Sequence, residues 1–135
     1  MSDQETHAKL GRSGEDYLEA ILRLSYEFPV VRSINIAEKL GRSKASVSVA
    51  MKKLLEDGYI QKSQEGSITL TEKGRVIAEE IDNRHRFFAE NLIEIGIDPQ
   101  TAEVEACRME HVISQETFQK LVKANAGCKG GNASS

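Results

Sequence analysis

A chain of 135 residues, 39% hydrophobic and 29% charged, has the composition of a soluble globular protein: one ordinary domain, or two small units sharing a core. No apolar run approaches the ~18 residues that span a bilayer, and the polar start MSDQETHAKLGRSG lacks the apolar stretch of a secretory signal. The two cysteines, Cys107 and Cys128, are too few for a disulfide framework, so a cytoplasmic protein with reduced thiols is expected. The net charge of -3 hides a strong asymmetry. Residues 32–53 hold six cations against the single acid Glu38, a net of +5, whereas residues 79–110 hold nine acids against three arginines, a net of -6. One segment suits phosphate and the other suits cations.

In chain order, residues 1–13 are polar and are expected to form a flexible N-terminus. A helix is predicted to start at Ser13 or Gly14, with Glu15 and Asp16 favourable in its first turn and Tyr17, Leu18, Ile21, Leu22 and Leu24 as its apolar stripe. Phe28-Pro29 stops it. Ser33 is read as the cap of a short helix from Ile34 to Leu40, which Gly41 ends. Ser43 then caps a helix running to about Asp57 and closed by Gly58. Tyr59–Lys62 and Ser67–Leu70 read as short strands joined by a turn at Gln64-Glu65-Gly66. A long helix is predicted from Thr71 to Gly96. Asp98-Pro99 opens another, Ser114 and Glu116 begin a last short one, and residues 125–135 are expected to be a flexible tail containing Cys128.

Helix, glycine-containing turn, helix and hairpin within residues 34–70 is the plan of a winged helix-turn-helix. Its two helices are expected to share a core through Ile34, Ile36, Ala37, Leu40, Val47, Ala50, Met51 and Leu54. The remaining face of the second helix carries Ser43, Lys44, Ala45, Ser46, Ser48, Lys52 and Lys53. Small side chains at its start permit close approach to the major groove, and Ser46 and Ser48 can donate to phosphates or base edges. Arg42, Lys44, Lys52 and Lys53 supply charge, and the wing carries Lys62 to the backbone. No arginine or glutamine stands out as a base reader, so no operator sequence can be inferred.

In the acidic segment, Cys107, Glu110 and His111 stand at i, i+3 and i+4 of one predicted helix, with Glu103 one turn earlier. Thiolate, carboxylate and imidazole on one face form a set of transition-metal ligands. His85 lies on the preceding helix, and Asp16 and Glu19 are three residues apart on the first. Taken singly, Cys107 is equally a small buried hydrophobe, His85 a partly exposed polar residue, and Asp16 with Glu19 a charge pair at a helix start.

The segment Glu105-Ala106-Cys107-Arg108-Met109-Glu110-His111-Val112 resembles the metal-binding helix of the diphtheria toxin repressor and manganese transport regulator family. Glu15-Asp16-Tyr17-Leu18-Glu19 is similar to that family's first helix, and Arg84-His85-Arg86 to its linking helix. The resemblance runs in order over residues 13–123. It implies a mainly α protein: a winged helix-turn-helix over 14–71, then an all-helical dimerisation and metal-binding domain over 72–124, in the short form without a C-terminal SH3-like domain. It further implies a homodimeric, metal-activated repressor of metal-uptake genes acting on operator DNA, with no membrane partner and no enzymatic activity. Asp16, Cys107, Glu110 and His111 match the activating site. Glu19 and His85 match ligands of the manganese-type members, and His85 and Glu103 match a neighbouring site. The chain departs from the family at Ala89, where many members have glutamate, and at Asp16, where iron-type members have methionine.

Cys107 is a soft ligand and Asp16 and Glu19 are hard ones; ferrous iron suits both, and manganese is second. The expected mechanism links Asp16 through the metal to Cys107, Glu110 and His111, so that the two recognition helices of the dimer are held at operator spacing. Leu92, Ile93, Ile95, Ile97, Val104, Val112 and Ile113 are the expected dimer contacts. The alternatives are a winged-helix regulator of an organic ligand and a metalloenzyme built on the Cys-Glu-His cluster.

Overall fold

Helix α1 of a computed structural model spans Asp3–Glu27, with non-helical backbone at Gly11. The structure describes the backbone of residues 3–134 and the side chains of residues 10–126. Non-helical backbone at Gly11 (φ 70°) separates two helical stretches, and the second, which carries the core residues, begins within a residue or two of the Ser13-Gly14 start predicted from capping. The chain divides into two compact units, His7–Asp82 and one formed mainly by the residues from Asn83 on.

In the first unit, Tyr17, Leu18, Ile21, Leu22 and Leu24 of α1 are buried, as their spacing predicts. Burying each large apolar side chain contributes on the order of 1.5–3 kcal/mol. Helix α2 (Ser33–Leu40) supplies Ile36 and Ala37 to the same core, and α3 (Lys44–Glu56) supplies Val47, Met51 and Leu54. Ile34 does not join them: it is 40% exposed, in the first turn of α2 and on nearly the opposite side of the helix from Ile36. The cap of α2 is Arg32 rather than Ser33, and the Asn35 side chain accepts a hydrogen bond from the Arg32 backbone N–H at 2.8 Å. Gly41 ends α2 in the left-handed conformation (φ 63°), and its N–H returns to the Ala37 carbonyl.

Ser43 caps α3, accepting from the Ser46 N–H at 3.1 Å. Replacing this cap, Ser43→Ala, is expected to lower unfolding free energy by about 1 kcal/mol, readable as a lower urea midpoint with an unchanged slope.

Strands β1 (Ile60–Lys62) and β2 (Ile68–Leu70) form an antiparallel hairpin with Gln61 opposite Thr69. Ile60 and Ile68 are buried while Gln61 and its partner Thr69 are exposed on the other face, and Lys62, opposite Ile68, is exposed at the end of the hairpin. A further hydrogen bond, Ile68 N–H to the Val31 carbonyl at 2.8 Å, ties the wing to the chain entering α2. The side chain of Thr71 opens α4 (Glu72–Glu94): its hydroxyl oxygen accepts from the Gly74 N–H and its hydroxyl donates to the Gly58 carbonyl. Ile77, Ala78 and Ile81 complete the core of this unit.

The second unit is helical. The later part of α4 is followed by α5 (Pro99–Met109) and α6 (Gln115–Ser134). Asp98 caps α5 by accepting from the N–H groups of Gln100 and Thr101, with Pro99 at the first helical position as predicted. Phe88, Ala89, Ala106 and Phe118 form its core, and Phe87 meets both Phe88 and Phe118 edge-on at 5.4 Å between ring centres. Ala89 is therefore a core residue. Helix α6 is longer than the short helix predicted from Ser114. Cys128, expected to be a reduced thiol in the tail, lies outside the described side chains.

Candidate metal centre and nucleic-acid interface

The potential ligands of the second unit gather where α5 ends. The helix stops at Met109, and Glu110 keeps helical backbone angles as its C-cap (φ -62°, ψ -20°). His111 thus lies in the turn just beyond α5, not within the helix as the spacing predicted. The grouping survives because one further helix-like residue is enough to keep the i+3 and i+4 positions adjacent. Cys107 Sγ, a Glu110 carboxylate oxygen and a His111 ring nitrogen all lie within 4.8 Å of one another.

Glu110 is the centre of this group and is fully buried. Its Oε2 lies 2.7 Å from His85 Nδ1, and its Oε1 lies 3.2 Å from His111 Nε2. The other ring nitrogen of His85, Nε2, lies 2.6 Å from Glu103 Oε1. A neutral imidazole carries one N–H, so carboxylates at both nitrogens call for a positive charge: a second ring proton, or a cation in its place. Burial of an anionic carboxylate with a thiol and two imidazoles is a donor set that fits a transition-metal ion. Glu103 is largely exposed, which makes its side of His85 the open side.

The turn carrying Glu110 and His111 is clamped by Arg84, one residue before His85. Its buried guanidinium donates to the carbonyls of Glu110 (3.2 Å) and Ile113 (3.0 Å) and to Gln115 Oε1 (2.9 Å). Spacing offered no sign of this role, since arginines in an acidic helix read as solvated charges.

Asp16 and Glu19 belong to the first unit. There Glu19 is buried and paired with Arg23 at 3.0 Å, and Arg23 also reaches Asp82 at 3.2 Å. Asp16 Oδ2 accepts from Arg42 at 3.3 Å.

On the DNA-reading face, Lys44, Ala45, Ser46, Ser48, Lys52 and Lys53 of α3 are exposed, as is Lys62 on the wing. Two of the residues expected to contact DNA have intramolecular partners. The Ser43 hydroxyl oxygen serves the cap and its hydroxyl donates to Ser46 Oγ at 2.9 Å. Arg42 folds back onto α1, and its pKa is raised, chiefly by its hydrogen bond to Tyr17, with Asp16 adding to the effect. Val49 is the residue that pattern reading passed over. It is 72% exposed at the centre of the face, three and four residues from Ser46, Ala45, Lys52 and Lys53. An exposed branched apolar side chain there can meet a thymine methyl. The break in the polar pattern of α3 was its only signal.

Two family models match the chain. The iron dependent repressor N-terminal DNA binding domain covers residues 9–68, and the iron dependent repressor metal binding and dimerisation domain covers residues 71–128. The chain belongs to the iron-dependent repressor family. It is 35% identical over 108 residues to the transcriptional regulator MntR of Salmonella typhimurium, covering 80% of this chain and 69% of that one. It is 34% identical over 110 residues to the iron-dependent repressor IdeR of Mycobacterium tuberculosis, covering 81% of this chain and 48% of the relative, so it spans about half of that protein's length. A solved structure of a manganese-dependent transcriptional repressor in complex with manganese superposes with a TM-score of 0.74 at 30% identity, covering 84% of this chain and 52% of the other.

Members of this family are transcriptional regulators, which removes the metalloenzyme reading, and the mainly α architecture with an N-terminal DNA-binding domain is the expected one. The segment matched as the dimerisation domain exposes Ile95, Val104 and Val112 among the expected dimer contacts, and Leu121 and Val122 on α6. Among the described residues no helix is long and apolar enough to cross a membrane.

Proposed function

We propose that this member of the family is a cytoplasmic, homodimeric repressor activated by ferrous iron, with manganese as the second candidate, and that it controls metal-uptake genes. The observation that carries the reading is the fully buried Glu110 carboxylate with His85, His111 and Cys107 around it. Cys107, Glu110 and His111 hold the activating ion, and His85 with Glu103 forms the neighbouring position. Asp16 and Glu19 are assigned as ligands by the similarity of their helix to the family's first helix. A divalent ion supplies the charge that this set of anionic and imidazole donors needs in order to share one centre. Mixed softness supports ferrous iron: the thiolate of Cys107 favours it over manganese, while the carboxylates accept either.

Lys44, Lys52, Lys53 and Lys62 provide the phosphate contacts. Ala45, Ser46 and Ser48, with Val49, provide the groove contacts. Metal dependence follows if the DNA-competent arrangement of the dimer binds metal more tightly than other arrangements do.

The test is anaerobic fluorescence anisotropy on duplexes selected from a random library, titrated with ferrous, manganous and zinc ions. DNA affinity should rise at least tenfold with metal, and ferrous ion should reach half-effect at the lowest free concentration. Manganese acting first would reverse the metal preference. DNA binding unaffected by chelator would overturn the metal-activated reading.

A further inference from the structure

Arg42 stands immediately before the cap of the recognition helix, in the turn that Gly41 opens between α2 and α3. Its side chain leaves that turn and returns to one face of α1. Nη1 donates to Ser13 Oγ at 3.2 Å, Nη2 donates to Asp16 Oδ2 at 3.3 Å, and the guanidinium carbon lies 4.7 Å from the centre of the Tyr17 ring. Residues 13, 16 and 17 are the i, i+3 and i+4 positions of that helix, so a single planar cation spans one strip of its surface. Tyr17 is itself buried in the core, which gives the guanidinium a fixed platform. Lys44 and Lys52, by contrast, extend from α3 with no such anchor and are exposed.

We propose that Arg42 is a positioning residue, which orients the Asp16 carboxylate for metal and passes its position to the start of the recognition helix. The proposal rests on the reading of Asp16 as a metal ligand. A carboxylate accepts at both oxygens, and Arg42 engages Oδ2. Partners of this kind orient ligating carboxylates, and their loss costs about 10–100-fold in metal affinity. Arg42 is joined by one peptide bond to Ser43, whose hydroxyl organises the first turn of α3. Asp16, Arg42 and Ser43 thus form a short path from a metal ligand to the DNA-reading helix inside one unit. A phosphate contact, the role that charge alone would give Arg42, requires the side chain to leave α1.

The two roles differ in what a substitution does. Full-length Arg42→Gln, Arg42→Lys and Asp16→Asn proteins are compared by anisotropy on the same duplex, with saturating manganous ion and with chelator, over a range of salt. Manganous ion affinity is measured separately by indicator competition. For Arg42→Gln, chelated DNA affinity and the salt slope are expected to stay as in the parent. The enhancement by metal should fall about 3–5-fold, the scale of a partly exposed ion pair, and metal affinity should fall about tenfold. Arg42→Lys keeps the charge but lacks the planar fork, and should lose the same enhancement. Equal weakening of DNA binding with and without metal, together with a salt slope reduced by about one, would show a phosphate contact and overturn the proposal. Asp16→Asn separates the two readings. If it leaves the metal enhancement whole, Asp16 is not a ligand, and both readings fall. If it removes the enhancement while Arg42→Gln does not, Asp16 stands and the role given to Arg42 is overturned.

Discussion

Glu110→Gln is expected to lower metal affinity by at least about 100-fold and to abolish metal-dependent DNA binding at metal concentrations that saturate the parent. The carboxylate is fully buried and addresses two imidazoles, through Oε2 to His85 and through Oε1 to His111. Removing a partner that merely orients a ligand costs about 10–100-fold in affinity, and a ligand itself should cost no less. The amide is nearly isosteric, so no cavity opens. It loses the negative charge and turns one acceptor into a donor, facing an imidazole that must then change its own proton. Indicator competition measures the affinity directly. A thermal melt gives a second reading: metal at 100 times its Kd stabilises the parent by about 2.7 kcal/mol, and at the same concentration the variant should gain less than about 0.5 kcal/mol. An unchanged affinity in Glu110→Gln would remove Glu110 from the site.

Gly74→Ala should destabilise the DNA-binding unit by about 2–4 kcal/mol, against the trend of helix propensity. Within a helix, alanine is favoured over glycine by about 1 kcal/mol. Here a Cβ would lie 2.1 Å from the Tyr59 carbonyl oxygen and 3.0 Å from its carbon. That carbonyl cannot withdraw cheaply, because it accepts from the Thr71 N–H at 3.0 Å and belongs to the entry of the wing. The collision is with backbone, so either β1 or the first turn of α4 must shift, and overpacking of this kind outweighs the propensity gain. Thermal denaturation should show a midpoint lowered by ~10–20 °C. Gly41→Ala is a useful comparison. Its added Cβ meets nothing within 4 Å, but its φ of 63° remains unfavourable, so a smaller loss of about 1–2 kcal/mol is expected.

Much of the fold was legible because its signals are local. Gly41, Ser43 and Gly58 bracket α3, and Asp98-Pro99 opens α5, since caps and left-handed turns depend on the residues that form them. The helix carrying Tyr17 to Leu24 starts close to the Ser13-Gly14 signal, just after the break at Gly11, while the helical stretch before Gly11 carries no such signal. The cap of α2 moved to Arg32 because Asn35 reaches back to its N–H, a reciprocal contact that a single-position preference for serine does not reveal. The cluster of Cys107, Glu110 and His111 was visible as spacing. That Glu110 is its buried centre, with His85 on one side and His111 on the other, was not.

The sequence by itself determined the order of elements, the basic recognition helix, the wing and the set of metal-binding residue types, because each is written in periodicity, caps and charge along a short stretch of chain. Tertiary structure alone decided how side chains far apart in the chain are used. It drew Arg42 from the DNA face onto Ser13, Asp16 and Tyr17, and it exposed Val49 on that face. It also placed Arg84 under the Glu110–Ile113 turn and made Ala89 part of a phenylalanine core. Each of these depends on which of several geometrically possible partners a long or buried side chain meets, and that choice is made only when helices distant in sequence pack.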